Sequence, residues 1–405
     1  MLRLYNTLGK TTQAFHPVNK EKVTIFTCGP SVYKRAHIGN FRTFIFEDIL
    51  ARYLEYLGYV VRRGMNLTDI EDKAIKEAEK QRRTVESLTE ENIRIFKHEM
   101  RFLQMKIPDY LPRASACVLE ASDIIERLLE HELAYWHEGN AYFDPLKFPS
   151  FGKLYGIDMS RWPRKRRRFH KDTYQGMQWN YGDFVLWHGF KKGDRYYWNT
   201  NLGKGRPSWN VQDPSMIMKH FQETLSIYCG GFDNLYRHHD YTRAILESIR
   251  SYPMARYWLH CNHLYVNGKK MSKSKGNILY IGDLQKQGFK ARDIRFILMY
   301  GRYREKMNYS DKQISEAVNK LRVFKKLTRK IKDKATKKRR YDDTLQRRIK
   351  KMFMKNMNDD LNVKDAFDDL FGIISNLEVN KLKPQTASGI MTILREIDEV
   401  FQVGF

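Results

Sequence analysis

Apolar residues run through Val23-Thr24-Ile25-Phe26-Thr27 and stop at Cys28-Gly29-Pro30, the pattern of a short buried strand ending in a turn. From Phe41 to Leu57, Phe44, Ile45, Ile49, Tyr53, Leu54 and Leu57 fall three and four apart, which predicts an amphipathic helix closed by Gly58. Tyr59-Val60-Val61-Arg62-Arg63 then reads as a second strand. Strand, helix, strand in that order is a βαβ unit, so an α/β fold with a parallel sheet is expected, with ligands at the carboxyl ends of its strands. The turn after the first strand is where chemistry should sit.

Asp72 to Leu103 is charged and helical in pattern, and Pro108 and Pro112 separate it from a further helix, Ala114 to Glu132. From Ala134 to Gly205 the helical periodicity fades, aromatic and basic residues crowd together, and Gly and Pro recur, the character of an insertion in the sheet domain. Regular structure resumes with Gly205-Arg206-Pro207-Ser208-Trp209, a helix-like Ser215 to Phe221 and a strand-like Leu225 to Tyr228, predicting a second βαβ-like half. Beyond Tyr309 the chain reads as helical to its end, closing with Ala387 to Val400. The expected division is 1–114 for the first half of a nucleotide-binding sheet domain, 115–204 for the insertion and 205–250 for the second half. A lysine-bearing loop region, 251–309, and a helical bundle, 310–405, complete it.

With 405 residues the chain is long enough for two to four domains, and 42% hydrophobic content supplies ample core. No stretch approaches the ~18 to 20 consecutive apolar residues of a membrane span, and Met1-Leu2-Arg3-Leu4-Tyr5-Asn6 lacks the pattern of a secretory signal. Cys28, Cys117, Cys229 and Cys261 are too few and scattered for a disulfide framework, which makes a reducing cytoplasm the expected compartment, with no membrane partner. The 73 Lys and Arg outnumber the 47 Asp and Glu, a net charge of +26 that calls for an extended anionic partner.

Two short motifs suit phosphate chemistry. His37-Ile38-Gly39-Asn40 lies between the first strand and the first helix, where a helix N-terminus favours phosphate. Far downstream, Gly268-Lys269-Lys270-Met271-Ser272-Lys273-Ser274-Lys275-Gly276-Asn277 alternates lysines and hydroxyls in a glycine-flanked loop, suited to neutralising a triphosphate as charge builds on leaving pyrophosphate.

In this order the pair resembles the signature of class I aminoacyl-tRNA synthetases, with a Rossmann-type sheet, an inserted connective region and a helical bundle. The likeness is greatest to the cysteinyl-tRNA synthetase family, through Leu4-Tyr5-Asn6-Thr7-Leu8, Thr27-Cys28-Gly29-Pro30-Ser31-Val32-Tyr33, Asn66-Leu67-Thr68-Asp69-Ile70-Glu71-Asp72-Lys73, Asp183-Phe184-Val185-Leu186-Trp187, Gly203-Lys204-Gly205-Arg206-Pro207-Ser208-Trp209 and Asn358-Asp359-Asp360-Leu361-Asn362. The resemblance implies ATP-dependent formation of an aminoacyl-adenylate, with Mg²⁺, followed by transfer to tRNA. It assigns His37, Gly39 and Asn40 to the phosphates, Lys270 and Lys273 to pyrophosphate, and Gly230, Gly231 and Asp233 to the nucleoside. Gly29, Thr68 and Trp209 would line the amino acid pocket. Asn40 replaces a second histidine of many relatives and still donates hydrogen bonds, but cannot become cationic.

The family reads its substrate thiolate with Zn²⁺ held by two cysteines, a histidine and a glutamate. Cys28 and His238 match this set, whereas Asp213 stands for the second cysteine and Thr242 for the glutamate. Nearby, Tyr228 replaces a histidine and Cys229 a glycine. Cys28, Asp213 and His238 would form a three-ligand site with a position open, with one soft ligand lost. Family members also continue into a small anticodon-reading domain, where this chain ends at Phe405, so the expectation is a divergent paralogue without that domain.

Basic residues concentrate at 161–171, including Arg164-Lys165-Arg166-Arg167-Arg168, and at 321–350. Such patches suit an RNA backbone, and Trp162, Phe169, Tyr174 and Trp179 beside the first suit stacking on unpaired bases. Two alternatives stand beside the tRNA ligase: a ligase similar to the cysteine ligase of mycothiol synthesis, which transfers to an amine on a sugar, and a non-catalytic RNA-binding paralogue.

Overall fold

Four parallel strands form the central sheet, in the spatial order Ala255–Cys261, Leu225–Gly231, Lys22–Thr27, Val60–Met65. The protein is described by a computed structural model, which covers residues 1–161, 183–271, 275–336 and 344–405. Side chains alternate across the strands. Val23, Ile25, Ile227, Cys229 and Leu259 face the core shared with the C-terminal helices, while Phe26, Tyr228 and Trp258 face the core under the insertion. The first two strands in sequence build one side of the sheet and the last two the other. The topological switch therefore falls between Lys22–Thr27 and Leu225–Gly231, whose carboxyl ends lead into Cys28 and Phe232. Ligands of open α/β sheets bind at that crevice.

The helix after the first strand spans Ile38–Tyr56, three residues longer at its start than the apolar periodicity predicts. His37 is its N-cap and, with Asn40, closes a reciprocal capping box, a signal that apolar spacing does not carry. Nor is the helix amphipathic in its setting: Arg42, Glu47, Asp48 and Arg52 are as buried as its apolar residues. It lies between the sheet and the bundle, where Arg42, Asp48 and Arg52 find partners, while the Glu47 carboxyl is buried without a hydrogen bond. Asp48 accepts hydrogen bonds from Arg52 at 2.9 Å and Arg295 at 2.6 Å, and Arg295 also donates to the carbonyls of Leu103 and Phe401.

The charged run 72–103 is two helices, Asp72–Lys80 and Val85–Phe102. Arg82 adopts a left-handed φ of 53°, and the Thr84 hydroxyl caps the second helix by accepting the Ser87 N–H. Among its described residues the insertion carries a five-stranded antiparallel sheet, ordered Ala134–His137, Asn140–Phe143, Phe184–Gly189, Gly203–Pro207, Trp198–Thr200. Its first hairpin turns at Glu138-Gly139, both with positive φ, the two-residue turn that suits twisted strands. The next helix spans Trp209–His220 with Pro214 inside it, and so starts well before the expected Ser215. Ser208 caps it, accepting the Asn210 N–H.

A second small sheet pairs Leu264–Val266 with Lys269–Lys270 and with Met307–Tyr309. The C-terminal region is helical among its described residues, as expected: Asp311–Lys334, Thr344–Met357, Val363–Ser375 and Pro384–Phe401.

Candidate active site

At the switch point a cleft of about 210 Å³ opens, lined by Cys28, Gly29, His37, Gly39, Asn40 and, from the opposite side, Gly231, Asp233, His263, Lys270 and Met271. Two motifs more than 200 residues apart in sequence thus share one cavity. His37 Nδ1 accepts the Asn40 N–H at 3.2 Å and Asn40 Oδ1 accepts the His37 N–H at 3.0 Å, which fixes both side chains at the helix N-terminus. Burial lowers the His37 pKa, disfavouring its charged form. A Cβ on Gly39 would lie 2.6 Å from the Met271 side chain, so glycine lets the two walls approach.

Lys270 reaches the cleft by a hairpin whose turn residues, Asn267 and Gly268, both have positive φ. Its ammonium lies 2.6 Å from Asp233 Oδ1, and His263 Nε2 is 3.2 Å from the same oxygen. Ser272, Lys273 and Ser274 fall outside the described residues, as do Trp162, Phe169, Tyr174, Trp179 and the basic run 164–168. Exposed Lys326, Arg329, Lys330 and Arg348 belong to the second basic region.

Deeper in, the chain turns at Gly29, whose N–H donates to Asn66 Oδ1 at 2.5 Å, and Asn66 Nδ2 donates to Thr68. A Cβ on Gly29 would sit 2.0 Å from the Asn66 carbonyl oxygen, so only glycine fits. Trp209 stacks on His238 with centroids 4.0 Å apart and is 38% exposed. Gly230 packs against the His239 ring and Cys28, and Gly231 is the glycine that lines the cleft.

Cys28, Asp213 and His238 do come together. His238 Nε2 lies 3.1 Å from Asp213 Oδ2, which also accepts the Tyr228 hydroxyl at 2.7 Å. Burial, then the charge of Asp213, push the Cys28 thiol well above its usual pKa, and Asn234 Nδ2 donates to its sulfur at 3.2 Å. The Thr242 hydroxyl donates back to the His238 carbonyl, a helix contact in place of a ligand. His239, which the sequence pattern does not single out, is buried beside them: ligand atoms of Cys28, His238 and His239 lie within 4.8 Å of one another. Two of the buried nitrogens, His238 Nδ1 and His239 Nε2, have no hydrogen-bond partner. A thiol and two imidazoles with spare lone pairs fit a zinc-type ion.

The parallel sheet, the split signature at its switch point and the inserted sheet define a class I aminoacyl-tRNA synthetase fold. Solved structures of similar fold include a Mycobacterium tuberculosis methionyl-tRNA synthetase with methionyl-adenylate (TM-score 0.66, 14% identity, 95% of this chain and 90% of that one). Another is an Agrobacterium radiobacter LeuRS–tRNA complex (TM-score 0.69, 11% identity, 96% and 85%). The family model described as the class I (C) tRNA synthetase catalytic domain matches residues 14–319. Cysteine–tRNA ligases from Chlamydia muridarum (33% identity, 99% of this chain, 88% of that one) and Chlamydia pneumoniae (35%, 99% and 86%) are similar over almost the whole length. The chain belongs to the cysteinyl-tRNA synthetase family, and its activity is that of an aminoacyl-tRNA ligase. Membership implies use of ATP, an amino acid and tRNA; among the described residues no helix is long and apolar enough to cross a membrane.

Proposed function

We propose that this ligase activates cysteine and transfers it to tRNA. A cysteine carboxylate oxygen attacks the α-phosphorus of ATP, the bond to the β,γ-phosphates breaks, and cysteinyl-adenylate and pyrophosphate result. A terminal tRNA hydroxyl then takes the cysteinyl group and releases AMP. The observation that carries the reading is the single cleft in which His37, Gly39 and Asn40 face Lys270 and Asp233, with Cys28 at the inner end.

In this reading His37 and Asn40 hold the ATP phosphates, Lys270 and Lys273 with Mg²⁺ neutralise pyrophosphate, and Gly230, Gly231 and Asp233 bind the nucleoside. Gly29, Thr68 and Trp209 form the amino acid pocket. A bound Zn²⁺ at Cys28, His238 and their neighbours would supply a soft position for the substrate sulfur. This matters because a plain pocket separates cysteine from serine or alanine by only ~1 to 3 kcal/mol. The basic surface 321–350 suits the tRNA backbone.

Amino-acid-dependent ATP–pyrophosphate exchange across the standard amino acids tests the reading. Exchange driven by cysteine is expected, with tRNA charging to follow. Exchange driven by another amino acid, or by none, overturns it.

A further inference from the structure

The segment Asn358-Asp359-Asp360-Leu361-Asn362 belongs to the family likeness yet lines no part of the cleft. Asp360 and Leu361 both have a left-handed φ, 54° and 55°, and both are buried. The Asp360 carboxylate accepts the Tyr5 N–H at 2.8 Å and the Tyr303 hydroxyl at 2.7 Å, and it pairs with Arg304. Tyr303 and Arg304 lie in the loop 301–306, which joins the helix Ala291–Met299 to the strand Met307–Tyr309. The turn at Asp360 therefore grips this loop from the side of the bundle.

From the other side the loop meets the helix that His37 caps. Arg42, two residues beyond Asn40, is buried, and its Nη2 donates to the carbonyls of Arg302 at 3.1 Å and Glu305 at 2.7 Å. Its Nε donates to the Asn262 carbonyl at 3.2 Å, and its Nη1 lies 3.0 Å from Met307 Sδ. One helical turn further on, Phe46 stacks on Tyr303 with ring centroids 4.1 Å apart.

The hairpin that carries Lys270 hangs on the same loop and strand. The Asn262 N–H donates to the Tyr303 carbonyl at 2.8 Å, and the Met307 N–H to the His263 carbonyl at 3.0 Å. At the turn, the Asn267 N–H donates to the Tyr309 carbonyl at 2.9 Å and the Gly268 N–H to Asn308 Oδ1 at 2.8 Å. One guanidinium thus connects the helix bearing His37 and Asn40 to the lead-in of both strands that frame Lys270. Its planar fork holds several acceptors in a fixed geometry, which an ammonium on a flexible stem does not.

We infer that Arg42 is a positioning residue for the activation step: it sets Lys270 against the phosphate-facing helix N-terminus, with the Asp360 turn bracing the loop behind it. Arg42 acts through Lys270 and touches no substrate. The inference rests on the roles proposed above for His37, Asn40 and Lys270 in binding ATP.

One readout needs no catalysis. In hydrogen exchange of the full chain, Arg42→Lys should speed exchange in peptides covering 262–271 and 302–309 while the central sheet keeps its wild-type rates. Asp360→Asn, which loosens the loop from the other side, should speed the same peptides and carries the test if Arg42→Lys does not fold. The second readout is pyrophosphate exchange. Arg42→Lys should lower kcat by about 10²-fold, the cost of an ångström-scale misplacement, with little change in the KM for ATP. Added to Lys270→Ala, it should slow exchange by much less than the product of the two single losses. Losses that multiply, or a loss confined to the KM for ATP, overturn the inference. Cysteine activation by the wild type, with unaltered exchange of the hairpin peptides in folded Arg42→Lys and Asp360→Asn, overturns this inference alone. A wild type that activates no amino acid, with hairpin peptides loosened in both variants, overturns the functional reading alone.

Discussion

Lys270 and Asp233 neutralise each other across the mouth of the cleft, ammonium to carboxylate at 2.6 Å, although each is proposed to serve a different part of ATP. Both are at least half exposed, so the pair adds little to stability. Bound nucleotide would separate them, phosphate taking the lysine and ribose hydroxyls the aspartate. Lys270→Ala should slow pyrophosphate exchange by about 10²- to 10³-fold, the usual loss when a donor to developing charge is removed. Asp233→Ala removes charge-assisted hydrogen bonds worth ~1.5 to 3 kcal/mol and should raise the KM for ATP by about 10- to 100-fold. An Asp233 variant whose ATP KM is unchanged would remove the ribose assignment.

The buried Arg295–Asp48 pair ties the helix Ala291–Met299 to the central helix Ile38–Tyr56, and Arg295 reaches the helical bundle through the Phe401 carbonyl. Both side chains are inaccessible to solvent, and Arg295 also satisfies the carbonyls of Leu103 and Phe401. Burial works against charging Asp48, but Arg295 and Arg52 outweigh it and hold its pKa below the usual range. Removing one partner leaves the other charge buried. Asp48→Ala should therefore cost about 3 to 5 kcal/mol in urea unfolding, and the double replacement Asp48→Leu, Arg295→Met should recover part of it. Equal losses for single and double variants would mean the packing, not the charge, holds the two helices together.

Several of these features could be read from sequence and several could not, for identifiable reasons. The helix N-terminus at His37 and the lysine loop carry local signals: a turn after an apolar strand, and glycines around alternating lysines. Arg42, Glu47, Asp48 and Arg52 look like the wet face of an amphipathic helix, because no local pattern tells a solvated charge from one paired with residue 295. The insertion's strands are hidden by their length, three to six residues each, and by their Gly and aromatic content. His239 escapes a sequence reading because adjacent residues on a regular element point apart. The chain is kinked at Tyr236 and Arg237 just before the two histidines, a feature with no composition signal. The pair His238-His239 after the Gly230-Gly231 strand end is the one available hint.

Glu47 gives a pH test. Burial raises its carboxyl to about 8, against which Arg63 acts only partly. Between the ordinary glutamate value near 4.5 and about 8, the folded state holds a proton that the unfolded chain has released. Its contribution is then fully present below pH 4.5, is lost as pH rises from there to about 8, and changes no further above it. Thermal unfolding should show a loss of stability between about pH 4.5 and 8 that Glu47→Gln flattens. A variant whose decline over that window matches the wild type would assign the loss to another group.

The basic surface of Asp311–Lys334 and Thr344–Met357 leads to the last expectation. Lys326, Arg329 and Lys330 are exposed on the first of these helices, and Arg348 on the second. None lines the cleft at the sheet. If they hold an RNA backbone, each neutralised phosphate releases counterions, and log affinity should fall linearly with log salt. Replacing Lys326, Arg329 and Lys330 together with glutamine should flatten that slope by about 0.7 to 0.9 for each phosphate no longer neutralised. It should also raise the KM for tRNA while leaving pyrophosphate exchange unchanged, because these residues lie outside the cleft proposed for ATP and the amino acid. Both halves of that expectation are needed. A slope that stays the same would make these lysines an ordinary solvated helix face, and a parallel fall in pyrophosphate exchange would point to disturbed folding of the bundle against the central helix.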